Sequence, residues 1–351
     1  MHNENLRAVA ASMVAPGKGV LAIDESSGTM NKRLAALGVD PTDENRRAYR
    51  DLLLTTPGIG EYISGAILFD ETIRQQSLAG EPFVDLMKRN GILSGIKVDT
   101  GAKPLSGASG ETVTEGLDGL RERIADYVRL GATFAKWRAV VDIDDARPSH
   151  WALNANAHAL ARYASLCQEG GLVPIVEPEV LMDGAHTLER CAEVTMHVLH
   201  AVFAALADAD VDLAAIVLKP SMVIAGKKSP VQASVARVAA ATLDVLGQTV
   251  PAACAGIAFL SGGQGNELAT QHLDAMNRQD ARLKKWPLTF SYGRALQQPT
   301  LEAWARERHD IVGAQGLLAN RARCNSRAAI GAYQVADEEM VAQLERKFVT
   351  A

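Results

Sequence analysis

The sequence predicts a closed (β/α)8 barrel of the TIM type, one domain over residues 1–335 followed by a C-terminal tail, 336–351. Three observations carry that prediction. About eight short apolar runs recur along the chain, segments of helical spacing separate them, and nearly every run ends in a residue able to do chemistry. Alternating strand and helix is the pattern of a parallel sheet with right-handed crossovers. Functional ends on so many successive strands make sense when a closed barrel brings them to one mouth, and less sense on an open doubly wound sheet. No Gly-x-Gly-x-x-Gly follows the first run, which speaks against dinucleotide binding.

The runs come in order. A mixed segment, Leu6 to Val14, reads as a short helix packed outside the barrel, and Gly17–Asp24 is the first strand, ending in a carboxylate. Glu25-Ser26-Ser27-Gly28-Thr29 supplies turn and capping residues for a helix over Met30 to Leu37. Ile63–Asp70 ends in acid, and Gly91–Asp99 ends in Lys97 and Asp99. In Thr133–Val141 the alternation puts Lys136 and Arg138 on one face; in Leu172–Glu179 it does the same for Glu177 and Glu179. Leu213–Lys219 reads as a buried strand with an ammonium at its tip. Ala255–Gly263 and Pro287–Gly293 complete the set, the last opening a helix over Ala295 to Gln298. Between strands, Leu188, Cys191, Thr195, Val198, Leu199, Val202 and Leu206 have helical spacing.

Composition narrows the function. With 48% hydrophobic residues the chain can fill a large core, and a net charge of −5 without basic clusters gives no footprint for nucleic acid. No run is read as long and apolar enough to span a bilayer, and the start lacks a secretory apolar region, so the expectation is a soluble cytoplasmic protein without membrane contact. Cys167, Cys191, Cys254 and Cys324 show no close pairing and read as reduced thiols. Glu193, His197 and His200 share one helix and read as a solvated face, so no metal is expected; Trp137, Trp151, Trp286 and Trp304 read as packing anchors.

The chemistry centres on Lys219. Pro220 holds it extended, as Pro178 holds Glu177. A lysine desolvated at the end of an apolar strand becomes a nucleophile towards carbonyls, and a neighbouring acid suits the proton transfers of imine formation. The bland alternative is a strand-end lysine that snorkels into water. Against it stands the company: Asp24, Lys97, Lys136, Arg138, Glu177 and Glu179 would all face the same mouth. Ser261-Gly262-Gly263 offers backbone N–H groups to an anion, and Gly293-Arg294 adds a guanidinium fork after the last strand, where barrels of this type bind phosphate. Ser26, Thr29, Arg33, Arg46 and Lys97 form a second basic flank, so the ligand expected is a bisphosphate.

Long stretches carry a resemblance. Leu-Ala-Ile-Asp24-Glu-Ser-Ser-Gly-Thr, Phe134-Ala-Lys136-Trp-Arg138, Pro174-Ile-Val-Glu177-Pro-Glu179, Val217-Leu-Lys219-Pro-Ser-Met-Val, Phe259-Leu-Ser261-Gly-Gly-Gln and Phe290-Ser-Tyr-Gly-Arg294-Ala-Leu-Gln closely resemble class I fructose-bisphosphate aldolase, in order, over about residues 10 to 330. The resemblance implies cleavage of fructose 1,6-bisphosphate through an imine on Lys219, with Glu177 moving protons, Asp24 taking the C4 hydroxyl proton and Lys136 positioning the substrate. It assigns Ser261, Gly262, Gly263, Ser291, Gly293 and Arg294 to the C1 phosphate, and Ser26, Thr29, Arg33, Arg46, Lys97 and Arg138 to the C6 end. It implies small sugar phosphates as partners, no cofactor, and a homo-oligomer, a tetramer. A transaldolase-like Schiff-base enzyme or a non-catalytic binding scaffold would use the same barrel. One departure stands out: the animal branch ends in a tyrosine that helps protonate the enamine, whereas this chain ends Phe348-Val-Thr-Ala351. Tyr333 reads as a packing or loop residue, and Asp337 to Lys347 as an amphipathic helix.

Overall fold

Parallel strands buried on both faces are the consequence of those continuous apolar runs. The computed structural model describes residues 2–338, so the helix expected from Asp337 to Lys347 lies largely outside the described residues. Among the described residues ten strands form: β1 (Gly19–Ala22), β2 (Ile63–Leu68), β3 (Leu93–Lys97), β4 (Gly101–Pro104), β5 (Thr112–Glu115), β6 (Phe134–Val141), β7 (Val173–Val180), β8 (Val217–Leu218), β9 (Gly256–Phe259) and β10 (Leu288–Tyr292). Eight of them close a parallel barrel in the order β1-β10-β9-β8-β7-β6-β3-β2, while β4 and β5 make a separate antiparallel hairpin.

Inward positions repeat every second residue, and several strands climb from an apolar floor to a charged rim. On β6 the steps are Phe134, Lys136 and Arg138, on β7 Val173, Ile175, Glu177 and Glu179. Val20 and Ala22 lead up to Asp24, Val217 to Lys219. The floor residues form one buried interior cluster with Ile67 and Ala258. Phe134 fills its centre because Gly65 and Gly95 leave it room: a Cβ on Gly95 would stand 2.1 Å from the Phe134 ring. A Gly95→Ala protein should therefore unfold at lower urea, losing about 1–3 kcal/mol to overpacking. The Gly95→Ala/Phe134→Leu protein should recover part of that loss; equal stability of wild type and Gly95→Ala would show that the floor is slack.

Four expectations need correction. The N-terminal helix, His2–Met13, does not pack outside the barrel. Leu6, Ala10 and Met13 lie on one face at helical spacing and cap the floor, burying themselves in the same interior cluster. Leu213–Lys219 is not one strand: Asp212 accepts the Ala214 N–H and winds Leu213–Ala215 into a 3-10 turn, leaving a two-residue β8. The helix Leu188–Asp208 does reach the length and apolarity of a membrane span. Here its apolar face, Cys191 to Leu206, is buried against the barrel core, which accounts for that composition in an outer-layer helix. Trp151, expected to anchor packing, is 54% exposed, its indole N–H donating to Ser106 O.

The β4–β5 hairpin went unread in the sequence, yet it buttresses the mouth. Thr114 Oγ1 donates to Arg138 O at 2.8 Å, tying the hairpin to the rim end of β6. The helix beginning at Arg294 runs to Arg306, well past Gln298. Tyr333 is buried, and its hydroxyl donates to Glu338, which also pairs with the buried Arg321. That arrangement gives Tyr333 the packing role expected of it.

Candidate active site

Lys219 sits one residue beyond β8, and its N–H donates to Val176 O at 2.8 Å, which sets it alongside Glu177. Its ammonium lies 3.1 Å from Glu177 Oε1. On the other side Lys136 Nζ is 3.4 Å from Glu177 Oε2 and 2.6 Å from Asp24 Oδ2. Two carboxylates and two amines thus alternate as Asp24, Lys136, Glu177 and Lys219, the last three buried and Asp24 mostly so. Charges taken so far out of water are tolerable only when paired in this way.

The electrostatics follow from the alternation. Burial pushes the Asp24 carboxyl up, but the Lys136 and Lys219 charges and the Lys136 hydrogen bond outweigh it and hold the group down at about 2. Glu177 shows the same balance: burial raises it, Lys136, Lys219 and Arg138 lower it, and the net direction is down. For Lys136 burial works against the charge, yet Asp24, Glu177 and Asp99 hold its pKa well above the usual lysine value. Asp24 and Glu177 are therefore standing proton acceptors, and Lys136 a permanent cation.

A cavity of ≈ 580 Å³ opens over this chain of charges, and every residue expected at the mouth lines it except Arg46. On one flank stand Ser261, Gly262, Gly263, Ser291, Gly293 and Arg294. Gly262 and Gly263 both have positive φ, 57° and 80°, a conformation that favours glycine and turns the loop tightly around the cavity edge. Arg294 opens its helix directly after Gly293, so the helix N-terminus adds to the guanidinium charge at this flank. Ser291 Oγ is buried without a hydrogen-bond partner, a hydroxyl left for a ligand.

The opposite flank holds Ser26, Thr29, Arg33, Lys97 and Arg138. Here the side chains are already engaged. Ser26 caps the helix Ser27–Ala36 by accepting the Thr29 N–H. Arg138 pairs with Glu179, and Lys97 Nζ stands 3.4 Å from Asp99. Arg33 is shared between Glu25 and Gln298, the latter at 3.0 Å.

Arg46 is the correction. Its guanidinium is spent on Glu71 at 2.9 Å, Asn31 at 2.8 Å and Asp43, behind the helix Ser27–Ala36, because its own helix, Asp43–Leu54, lies one layer further out. It buttresses the flank without lining it.

Two acids were missed. Glu25 takes Arg33, Arg50 at 2.9 Å and the Gln297 amide at 2.6 Å, and it lines the cavity. Asp99 is buried, accepts the Arg138 N–H and faces Lys97. Both directly follow or end runs already marked by a carboxylate or lysine, which was the available signal. Elsewhere Glu193 pairs with Arg190 at 2.8 Å, and among the described residues no three His, Cys, Asp or Glu side chains gather as a metal site.

Comparison with known proteins agrees with this geometry. The family model for class I fructose-bisphosphate aldolase, described as glycolytic, matches residues 5–351. The chain belongs to the class I fructose-bisphosphate aldolase family. A probable class 1 fructose-bisphosphate aldolase of Xanthomonas axonopodis pv. citri is 55% identical over 335 residues, covering 95% of this chain and all of that one. The cytosolic fructose-bisphosphate aldolase 4 of Arabidopsis thaliana is 51% identical, over 94% of this chain and 84% of its own length. A solved fructose-bisphosphate aldolase from Plasmodium falciparum superposes with a TM-score of 0.92 at 45% identity, over 95% of this chain and 96% of that one. Class I aldolases are carbon–carbon lyases on a closed (β/α)8 barrel, and this chain is one of them.

Proposed function

We propose that the chain cleaves fructose 1,6-bisphosphate reversibly into dihydroxyacetone phosphate and glyceraldehyde 3-phosphate through an imine on Lys219. The observation that carries the assignment of residues is the Lys219 amine 3.1 Å from the ionised, buried Glu177. Glu177 takes a proton from Lys219, and the free amine adds to the C2 carbonyl. Glu177 then returns a proton to the carbinolamine hydroxyl, which leaves as water and gives the iminium. Asp24, ionised across the working pH range, accepts the C4 hydroxyl proton while the C3–C4 bond breaks and its electron pair flows into the iminium, giving an enamine. Glyceraldehyde 3-phosphate leaves, Asp24 returns its proton to solvent, and protonation at C3 by water, directly or through Glu177 reprotonated from it, followed by hydrolysis of the imine releases dihydroxyacetone phosphate and restores the amine.

Lys136, fixed between Asp24 and Glu177, keeps both carboxylates in their basic form and steadies developing negative charge on the substrate. Because the iminium is the electron sink, the scheme calls for no cofactor. Ser261, Gly262, Gly263, Ser291, Gly293 and Arg294 bind the C1 phosphate. Ser26, Thr29, Arg33, Lys97 and Arg138 take the C6 end, Glu25 and Glu179 yielding their arginines to it.

The test compares kcat/KM for the bisphosphate with fructose 1-phosphate, which lacks the second anion. We expect the bisphosphate to be preferred by about 10- to 100-fold, the worth of one or two charge-assisted hydrogen bonds. Equal values would remove the second phosphate site. Borohydride with either substrate should leave an adduct on Lys219 identifiable by peptide mass spectrometry.

The same proposal places the protein in the cytoplasm. Plant relatives are named cytosolic or cytoplasmic, and all four cysteines are free and buried here. It takes residues 1–335 as the folded unit, 336–351 as a tail, and the assembly as a homotetramer, which sedimentation analysis would check.

A further inference from the structure

Lys227 stands beside the phosphate cradle and has no part in the scheme above. It lies on the loop that follows Lys219, and three backbone hydrogen bonds lace that loop to the one leaving β7. Gly226 N–H donates to His186 O at 2.9 Å, Lys227 N–H to Met182 O at 2.7 Å and Lys228 N–H to Gly184 O at 3.0 Å. The two loops touch so closely that a Cβ on Gly226 would stand 2.2 Å from Gly184 O. The point where the Lys227 side chain leaves the backbone is thereby fixed.

From there its ammonium reaches Gly263. A Cβ on Gly263 would lie 2.9 Å from Lys227 Nζ and 3.0 Å from Arg294 Nη2, so two cations converge on one glycine of the cradle. Like charges brought this close repel, and an anion between them relieves the repulsion. The carboxylate nearest Lys227, Asp183, lies 3.3 Å away, with side chains 42% and 70% exposed. So exposed a pair is weak and readily exchanged.

We infer that Lys227 is a further phosphate-binding residue, one that gives up Asp183 for the anion held by Ser261, Gly262, Gly263 and Arg294. The inference rests on reading that cradle as the C1-phosphate site. The two cations divide the work by their chemistry: Arg294 offers a planar fork, Lys227 a point charge on a flexible stem. Because Lys227 follows Lys219 along one loop, phosphate capture ties the imine-forming strand to the β9 loop across the cavity edge.

The test is steady-state kinetics of wild type, Lys227→Met and Lys227→Arg on fructose 1,6-bisphosphate and fructose 1-phosphate. For Lys227→Met we expect KM to rise about three- to tenfold on both substrates, with kcat within about twofold, and the difference to shrink in high salt. Lys227→Arg should restore most of the loss. An unchanged KM, a fall in kcat alone, or a loss confined to the bisphosphate would overturn the inference, the last by placing the charge at the other phosphate. Failure of the underlying reading shows differently: borohydride would then leave no adduct on Lys219 of the wild-type enzyme, a result that Lys227 does not influence.

Discussion

Replacing Lys219 by methionine should reduce cleavage by about 10⁴-fold or more, the scale seen when a covalent nucleophile is removed. The side chain is only 3% exposed, and methionine matches its length without its charge, so the substitution fits the space. Glu177 keeps Lys136 at 3.4 Å, so the barrel should fold; circular dichroism and thermal unfolding would verify that. Borohydride treatment with substrate should then leave no adduct on position 219. Two results would sink the assignment: activity within about tenfold of wild type, or an adduct on Lys97, Lys136 or Lys227 in the wild-type enzyme. Binding of the bisphosphate should survive, because the phosphate contacts come from other strands and loops.

Much of this site was legible before any coordinates. The rule that worked was local: a buried parallel strand reads as an apolar run, and the first polar residue after it stands at the rim. Asp24 and Lys219 obey it beyond β1 and β8, and Lys136 and Glu177 stand within β6 and β7, where the apolar run first breaks. What the sequence did not disclose is who pairs with whom. Arg46 and Arg50 lie one turn apart on the same helix, Asp43–Leu54, and nothing in their spacing says which reaches the mouth. The fold decides it: Arg50, 3% exposed, reaches Glu25, while Arg46 turns to Glu71 and Asn31. Likewise Arg138 and Glu177 are register partners, yet Glu177 pairs with Lys136 and Lys219, and Arg138 with Glu179. The stagger of strands in a barrel makes diagonal neighbours closer than lateral ones at the rim. The N-terminal helix was misplaced for a related reason. Its apolar face was visible, but only closure of the barrel creates a floor for it to cover.

Removing Lys136 should do more damage than removing one contact, because both carboxylates depend on it. In a Lys136→Met protein, Asp24 would lose its 2.6 Å partner and Glu177 would keep Lys219, with Lys97 and Arg138 the remaining cations acting on the two carboxylates. Burial, the largest influence on Asp24, would then raise it from about 2. Both groups would then be ionised over less of the working pH range and the cation that steadies developing negative charge would be gone, so kcat should fall by about 10²- to 10⁴-fold. Leaving a buried charge without its partner costs about 3–5 kcal/mol of stability at neutral pH. The sign of the pH dependence follows from linkage. In the wild type the folded-state value of Asp24, about 2, lies below its ordinary 3.8, so its stabilising contribution is complete above the ordinary value and is lost as pH falls through the folded one. In Lys136→Met a folded value raised above the ordinary one makes ionised Asp24 a liability, relieved as acid protonates it. The stability gap between the two proteins should therefore be widest at neutral pH and narrow as pH falls from about 5 towards 2. Adding Asp24→Asn to Lys136→Met should recover stability without recovering activity. A gap that stays constant across that pH range, or a double variant no more stable than Lys136→Met, would show that Lys136 does not hold Asp24 in its ionised form.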